Sequence, residues 1–252
     1  MTWFPMRRFA IPVLAVSLLC CAAKADVVEL RADEWCPFNC EAGSENPGFM
    51  VEIAREALAL YGHDVGYEQT NWSRSIDLVT RGEANGVIGT DLDETPDLLM
   101  GPPLANYQEV VVFRSGETRE ITAPEDLTGL RLGGIQDYTY SDLVMAHIED
   151  EGASVQLLTG EDALARNLKK LLAGRVDVIV EERSVVLFEL QQLGLRDQVE
   201  LVFVDEASTL HIAFSPALES SPTIVQQFHA GLERLVENGR HGEILAKYGL
   251  AE

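Results

Sequence analysis

The chain has 252 residues, with 41 Asp and Glu against 19 Lys and Arg, a formal charge of −22. A field this negative repels nucleic acid and anionic membrane surfaces and favours a cationic partner or simple solubility. The four cysteines and five histidines share no ligand spacing, so neither a metal site nor a cofactor is expected.

Arg7 and Arg8 precede an apolar run over 9–22 that is too short to span a bilayer, and Ala23-Lys24-Ala25 has the form of a cleavage site. Residues 1–25 are therefore expected to be a signal peptide removed on export. The remaining 227 residues carry 16 basic and 41 acidic groups, a charge of −25. Leu19-Cys20 and Cys20-Cys21 lack the small residue that precedes a lipid-anchored cysteine, so a soluble exported product is expected. It keeps two cysteines, Cys36 and Cys40, and an exported pair this close is expected to form a disulfide. Closing so short a loop contributes about 2 kcal/mol in the chain-entropy model. Its larger effect is to fix the turn after the first strand.

That first strand is predicted over 27–32, ending at Asp33-Glu34-Trp35. A helix with apolar spacing follows over 49–60, then a strand over 65–69. Asn71 or Ser73 caps a helix that begins at Trp72, and a strand runs to Gly89-Thr90. Residues 95–104, with Pro96, Pro102 and Pro103, read as turns before a β-branched strand over 109–113. A second series then begins. Strands are predicted at 131–135, 155–158, 176–180, 201–204 and 210–214, and helices at 142–149, 162–173, 184–193, 222–238 and 242–248.

One device occurs twice. Gly82-Glu83-Ala84-Asn85 and Gly174-Arg175-Val176-Asp177 each stop a helix and start a β-branched strand. A helix–Gly–strand unit used twice implies two α/β lobes of similar build. Strands alternating with helices imply open sheets, whose ligands lie outside the carboxyl ends of the strands. That rule selects Asp33 to Trp35, Thr90-Asp91, Gln136 to Tyr140 and Glu181-Glu182, with Trp72 at the next helix start.

At these residues the chain resembles the bacterial periplasmic solute-binding proteins of the amino-acid type (extracellular solute-binding protein family 3). The resemblance rests on Asp33-Glu34-Trp35-Cys36-Pro37-Phe38, on Pro47-Gly48-Phe49 opening a helix, and on Trp72 and Gly89-Thr90. It continues through Leu127-Thr128-Gly129-Leu130-Arg131-Leu132-Gly133, Gly174-Arg175-Val176-Asp177 and the terminal run from Leu235 to Tyr248. It implies a two-lobed α/β fold of the type 2 periplasmic binding class, each lobe an open sheet flanked by helices, joined by two crossover strands. Lobe one would be 26–111 plus 212–252 and lobe two 112–211, with a crossover near 205–211 that bends on closure.

The resemblance implies ligand contacts at Asp33, Trp35, Trp72, Thr90 and Leu92 from lobe one, and at Tyr138, Thr139, Tyr140 and Glu182 from lobe two. It also implies a monomer that captures a small molecule in the periplasm and delivers it to an inner-membrane ABC permease. A membrane receptor is the alternative partner. A dehydratase-like enzyme on the same scaffold is the other alternative, but no nucleophile signature is present and no enzyme is expected.

One departure bears on the ligand. Amino-acid binders of this family place an Arg after the third strand to clamp the α-carboxylate, in a Thr-x-x-Arg pattern. Here the stretch reads Thr95-Pro96-Asp97-Leu98, without Arg. The expected ligand is a small polar or cationic solute, amino-acid-like or an amine; Asp33 and Glu182 as carboxylates with Trp35, Trp72 and Tyr138 as aromatic walls suit an amine or quaternary ammonium.

Overall fold

Two five-stranded sheets divide the chain in the computed structural model, which describes Met1, residues 26–204 and residues 206–250. The expected signal segment and position 205 of the expected crossover lie outside the described residues. Among the described residues no helix is long and apolar enough to cross a membrane.

The first sheet has the order β2-β1-β3-β10-β4, from strands β1 (Asp26–Ala32), β2 (His63–Gln69), β3 (Gly86–Thr90), β4 (Leu99–Tyr107) and β10 (Ser208–Phe214). The second has the order β7-β6-β8-β5-β9, from β5 (Glu109–Arg114), β6 (Arg131–Ile135), β7 (Ser154–Leu158), β8 (Val178–Glu182) and β9 (Val199–Phe203). In each sheet the first three strands of the lobe run parallel, and the strand that arrives from the other lobe is antiparallel to its neighbour. Helices α1 (Phe49–Ala59), α2 (Trp72–Thr80), α6 (Ser221–Glu237) and α7 (Arg240–Lys247) accompany the first sheet, and α3 (Asp142–Ile148), α4 (Ala163–Leu172) and α5 (Arg183–Leu193) the second.

The repeated device has the same structural use in both lobes. Gly82 and Gly174 take the left-handed conformation, φ 72° and 64°, that ends α2 and α4. Asn85 then exchanges two bonds with β1. Its N–H donates to the Glu29 carbonyl at 2.8 Å, and its Oδ1 accepts from the Glu29 N–H at 2.8 Å. Asp177 does the same with β6, donating to the Arg131 carbonyl at 2.8 Å and accepting from the Arg131 N–H at 2.9 Å. Each pair fixes where the third strand of a lobe joins the first.

One sequence expectation needs correction. Residues 99–107 form β4 despite Pro102 and Pro103. The strand lies at the edge of its sheet, paired only to β10, where one of two successive prolines faces no partner strand and the register shifts fall beside the Pro103–His211 pair. The change of sheet falls at Gln108, because β5 pairs from Glu109 onward with β8. The return falls between β9 and β10.

The cores follow this division. Leu30, Phe49, Ile53, Phe214 and Phe228 are fully buried between the first sheet and its helices, and Val111, Leu132, Val144 and Val178 do the same in the second. Gly48 opens α1 at φ 104°, and a Cβ there would lie 2.4 Å from the Phe38 carbonyl oxygen, so only Gly fits. The loop carrying Phe38 and Trp35 is thereby pressed against the start of the helix.

Candidate functional site

The loop after β1 is held from three sides. Cys36 and Cys40 are joined by a disulfide with 4.7 Å between their Cα atoms. The Trp35 N–H donates to the Asn39 carbonyl at 2.7 Å, and Asn39 Nδ2 donates to the Asp33 carbonyl at 2.7 Å. Trp35 stacks on Phe38 with ring centroids 4.5 Å apart. A short loop with a polar end thus presents Asp33 and Trp35 in one orientation at the carboxyl end of β1.

The opposing lobe presents Tyr138 and Glu181. Asp137 precedes Tyr138 in the left-handed region, φ 67°, a conformation non-glycine residues take rarely and Asp more readily than most. Glu181 sits near the carboxyl end of β8. Two hydrogen bonds then cross between the lobes. The Tyr138 hydroxyl donates to Asp33 Oδ2 at 2.6 Å, and Trp35 Nε1 donates to Glu181 Oε1 at 3.0 Å. Within lobe one, Trp72 Nε1 donates to Glu94 Oε1 at 2.8 Å.

Two cavities, of about 360 and 670 Å³, adjoin these residues, and both are lined by Asp33, Trp35, Trp72, Tyr138 and Glu181. The smaller adds Glu34, Asp137, Glu161 and Glu189, and the larger adds Asp91, Asp93, Glu94 and Asp142. Among the described residues that line either cavity there is no Lys, Arg or His. Nor do three or more His, Cys, Asp or Glu among the described residues come together as a metal site.

Burial without a counter-charge raises these carboxyls. Glu181, 2% exposed, is pushed up to about 8 by desolvation, against the opposing pull of its bonds from the Glu182 N–H and Trp35. Asp33 is pushed up to about 6 by desolvation, although the Tyr138 hydroxyl favours its charged form. Glu34 and Glu94 are raised as well, first by burial and then by neighbouring acids. One oxygen of Glu181, Oε2, is buried with no hydrogen-bond partner. Chemically, the cleft is a desolvated, carboxyl-rich box with indole and phenol rings and no positive side chain among the described residues that line it.

The sequence-selected residues divide into two groups. Asp33, Trp35, Trp72, Tyr138, Thr139 and Tyr140 line a cavity. Tyr140 does so from the lobe-two core, its hydroxyl accepting from the Ile135 N–H at 2.8 Å. Thr90, Leu92 and Glu182 line neither. Thr90 is fully buried and shares a hydrogen bond with Thr95, Oγ1 to Oγ1 3.0 Å, and Leu92 is exposed to solvent. Glu182 caps α5, its Oε2 accepting from the Val185 N–H at 2.9 Å. Neighbouring residues of a strand face opposite sides, so only one of Glu181 and Glu182 can face the cleft. Glu94 escaped the sequence reading. Its signal was the turn around Asp91, whose Oδ1 accepts from the N–H groups of Asp93 at 3.1 Å and Glu94 at 2.9 Å.

No family model and no curated protein matches the sequence. Solved structures do match its fold. An ancestral arginine-binding protein bound to arginine is 20% identical, with a TM-score of 0.71 over 88% of this chain and 97% of that one. A chain from the glutathione import of Streptococcus mutans, via GshT and the cystine ABC importer TcyBC, is 19% identical, with a TM-score of 0.74 over 89% and 95%. An ABC uptake transporter substrate-binding protein from Streptococcus pneumoniae with bound histidine is 17% identical, with a TM-score of 0.72 over 88% and 92%. The chain therefore has the two-lobed α/β fold of type 2 periplasmic binding proteins.

Proposed function

We propose that this chain is an exported solute-binding protein that captures a small cationic molecule between its lobes and delivers it to a membrane importer. The fold supports capture by closure, because Asp33 and Trp35 come from one lobe and Tyr138 and Glu181 from the other. The observation that carries the charge preference is the lining of the cleft, rich in carboxylates and free of Lys, Arg and His among the described residues.

An α-carboxylate has no guanidinium to meet it here, so the reading favours an amine or quaternary ammonium over a free amino acid. Each good cation–π contact with Trp35, Trp72 or Tyr138 contributes about 0.5–2 kcal/mol. A protein that only captures and releases is proposed, with no chemical turnover. Isothermal calorimetry with tetramethylammonium, butylamine, arginine, glutamate and glucose tests the class. Binding of the amines is expected, without binding of glutamate or glucose. Tight capture of glutamate or glucose with no amine bound would contradict the reading.

A further inference from the structure

The two passages of the chain between the sheets meet at Glu109. Gln108, between β4 and β5, carries the chain from the first sheet to the second, and its carbonyl accepts from the Arg183 N–H at 2.9 Å. Val204, just past β9 on the way back, donates its N–H to the Glu109 carbonyl at 3.4 Å. Resting on the capture reading above, we propose that Glu109 is a positioning residue for that capture. It lines neither cavity, and it sets the places of Trp35 and Tyr138 through Tyr107 and Ser141.

The Glu109 side chain is fully buried, so its oxygens need donors. Those donors come from both sides of the hinge. Ser141, in the second lobe, gives its Oγ–H to Oε1 at 2.5 Å and its N–H to Oε2 at 3.0 Å. Tyr107, the last residue of β4 in the first sheet, gives its hydroxyl to Oε2 at 3.3 Å. Burial, then the charge of Glu109, holds the Tyr107 phenol well above its ordinary range, so the hydroxyl remains a donor. Rotation at Gln108 carries this phenol with the first sheet and the carboxyl with the second. Hinge motion therefore acts on the Tyr107 bond, while the two bonds to Ser141 travel with the second lobe.

Both partners reach the cleft. The Tyr107 ring lies beside Trp35, with centroids 6.3 Å apart, and Trp35 donates to Glu181. Ser141 ends the segment that carries Tyr138, whose hydroxyl meets Asp33. Tyr107, Tyr138 and Ser141 line the larger cavity, with Glu109 behind them. Capping α3 would need the Ser141 N–H alone. The added phenol from the first sheet is what ties that cap to the hinge and to an aromatic wall of each lobe.

Apart from Trp3 in the expected signal segment, the tryptophans are Trp35 and Trp72, and both line the cleft. Intrinsic emission of the ligand-free exported protein therefore reads the cleft walls directly. Glu109→Ala is expected to move the emission to longer wavelength and to raise quenching by acrylamide. Tyr107→Phe, which removes only the hydroxyl, is expected to act in the same direction. Glu109→Gln keeps an acceptor and is expected to restore part of the wild-type signal. By calorimetry, butylamine is expected to bind several-fold more weakly to Glu109→Ala and Tyr107→Phe, with partial recovery in Glu109→Gln. If Glu109→Ala does not fold, Tyr107→Phe, which leaves both Ser141 bonds in place, carries the same test. Lowered melting temperatures with unchanged emission and quenching in every folded variant overturn the proposal and leave Glu109 a cap of α3. If the wild type captures no amine, the cation reading fails, and the ligand-free emission still decides the role of Glu109.

Discussion

Glu181 has two carboxylate oxygens in different circumstances. Oε1 accepts from Trp35 Nε1 at 3.0 Å and from the Glu182 N–H at 2.8 Å, while Oε2 is buried and open. The titratable groups around it are Asp33, Glu182, Tyr107, Tyr138 and Tyr140, and none of them carries positive charge. Its carboxyl is raised from 4.5 to about 8, so the protonated form is the one the empty fold favours. The sign follows. The contribution to stability is fully present below the unfolded value and is lost as pH rises toward 8. Glu181→Gln mimics the protonated form and keeps the Oε1 acceptor. Without ligand, the variant should melt with wild type near about pH 5 and above it near about pH 9, by about 2–4 °C for each kcal/mol regained. Melting curves that stay parallel across this range would show that the carboxylate never ionises at a cost in the empty cleft. The choice of Glu181 over Glu182 was beyond the sequence, because the parity of a strand against its sheet depends on partners far along the chain. Asp33, Trp35 and Tyr138 were accessible, because strand-end loops of open sheets meet at the cleft whatever their composition.

Elements were more legible than side chains, and the twin Gly–Asn and Gly–Asp turns show why. A left-handed Gly and a strand-starting Asn or Asp are local requirements, readable wherever the chain must leave a helix and enter a sheet. Edge position is not local, so the prolines of β4 hid a strand that tolerates them only because nothing pairs on its far side. The two turns differ in one respect. Asp177 also meets the Arg131 guanidinium, with Oδ2 to Nε at 2.9 Å and Oδ1 to Nη2 at 2.7 Å, which lowers its carboxyl to about 2. Asp177→Ala leaves the Arg131 N–H without its acceptor and should cost about 1–3 kcal/mol in denaturant unfolding. Asp177→Asn keeps an acceptor for that N–H, as Asn85 does for Glu29, and should cost less than half as much. Equal losses for the two variants would place the stabilising effect in the half-exposed ion pair rather than in the strand-pinning bond.

At the scale of the whole molecule, two acidic faces meet across the cleft of a strongly negative chain. Like charges on facing lobes favour separation, and salt screens charges in a desolvated cleft less than charges on the surface, so screening is incomplete. Closure without a ligand therefore depends on neutral donors placed between the acids. Tyr138 O–H to Asp33 and Trp35 N–H to Glu181 are those donors, one leaving each lobe for the other. The bond to Asp33, ionised above about pH 6, contributes about 1.5–3 kcal/mol, and the bond to the protonated Glu181 about 0.5–1.5 kcal/mol, weights of about ten- to hundredfold and about two- to tenfold toward the closed arrangement. Removing both, as Trp35→Phe/Tyr138→Phe, deletes the donors and keeps an aromatic ring at each position, with the loss of part of the indole that stacks on Phe38. Small-angle scattering of the ligand-free double variant at low salt should show a larger radius of gyration than wild type, and raised salt should reduce the difference by screening the facing acids. If the two proteins scatter identically at low salt, the lobes are held by contacts outside the cleft, and a cation entering it would have no opening equilibrium to draw on.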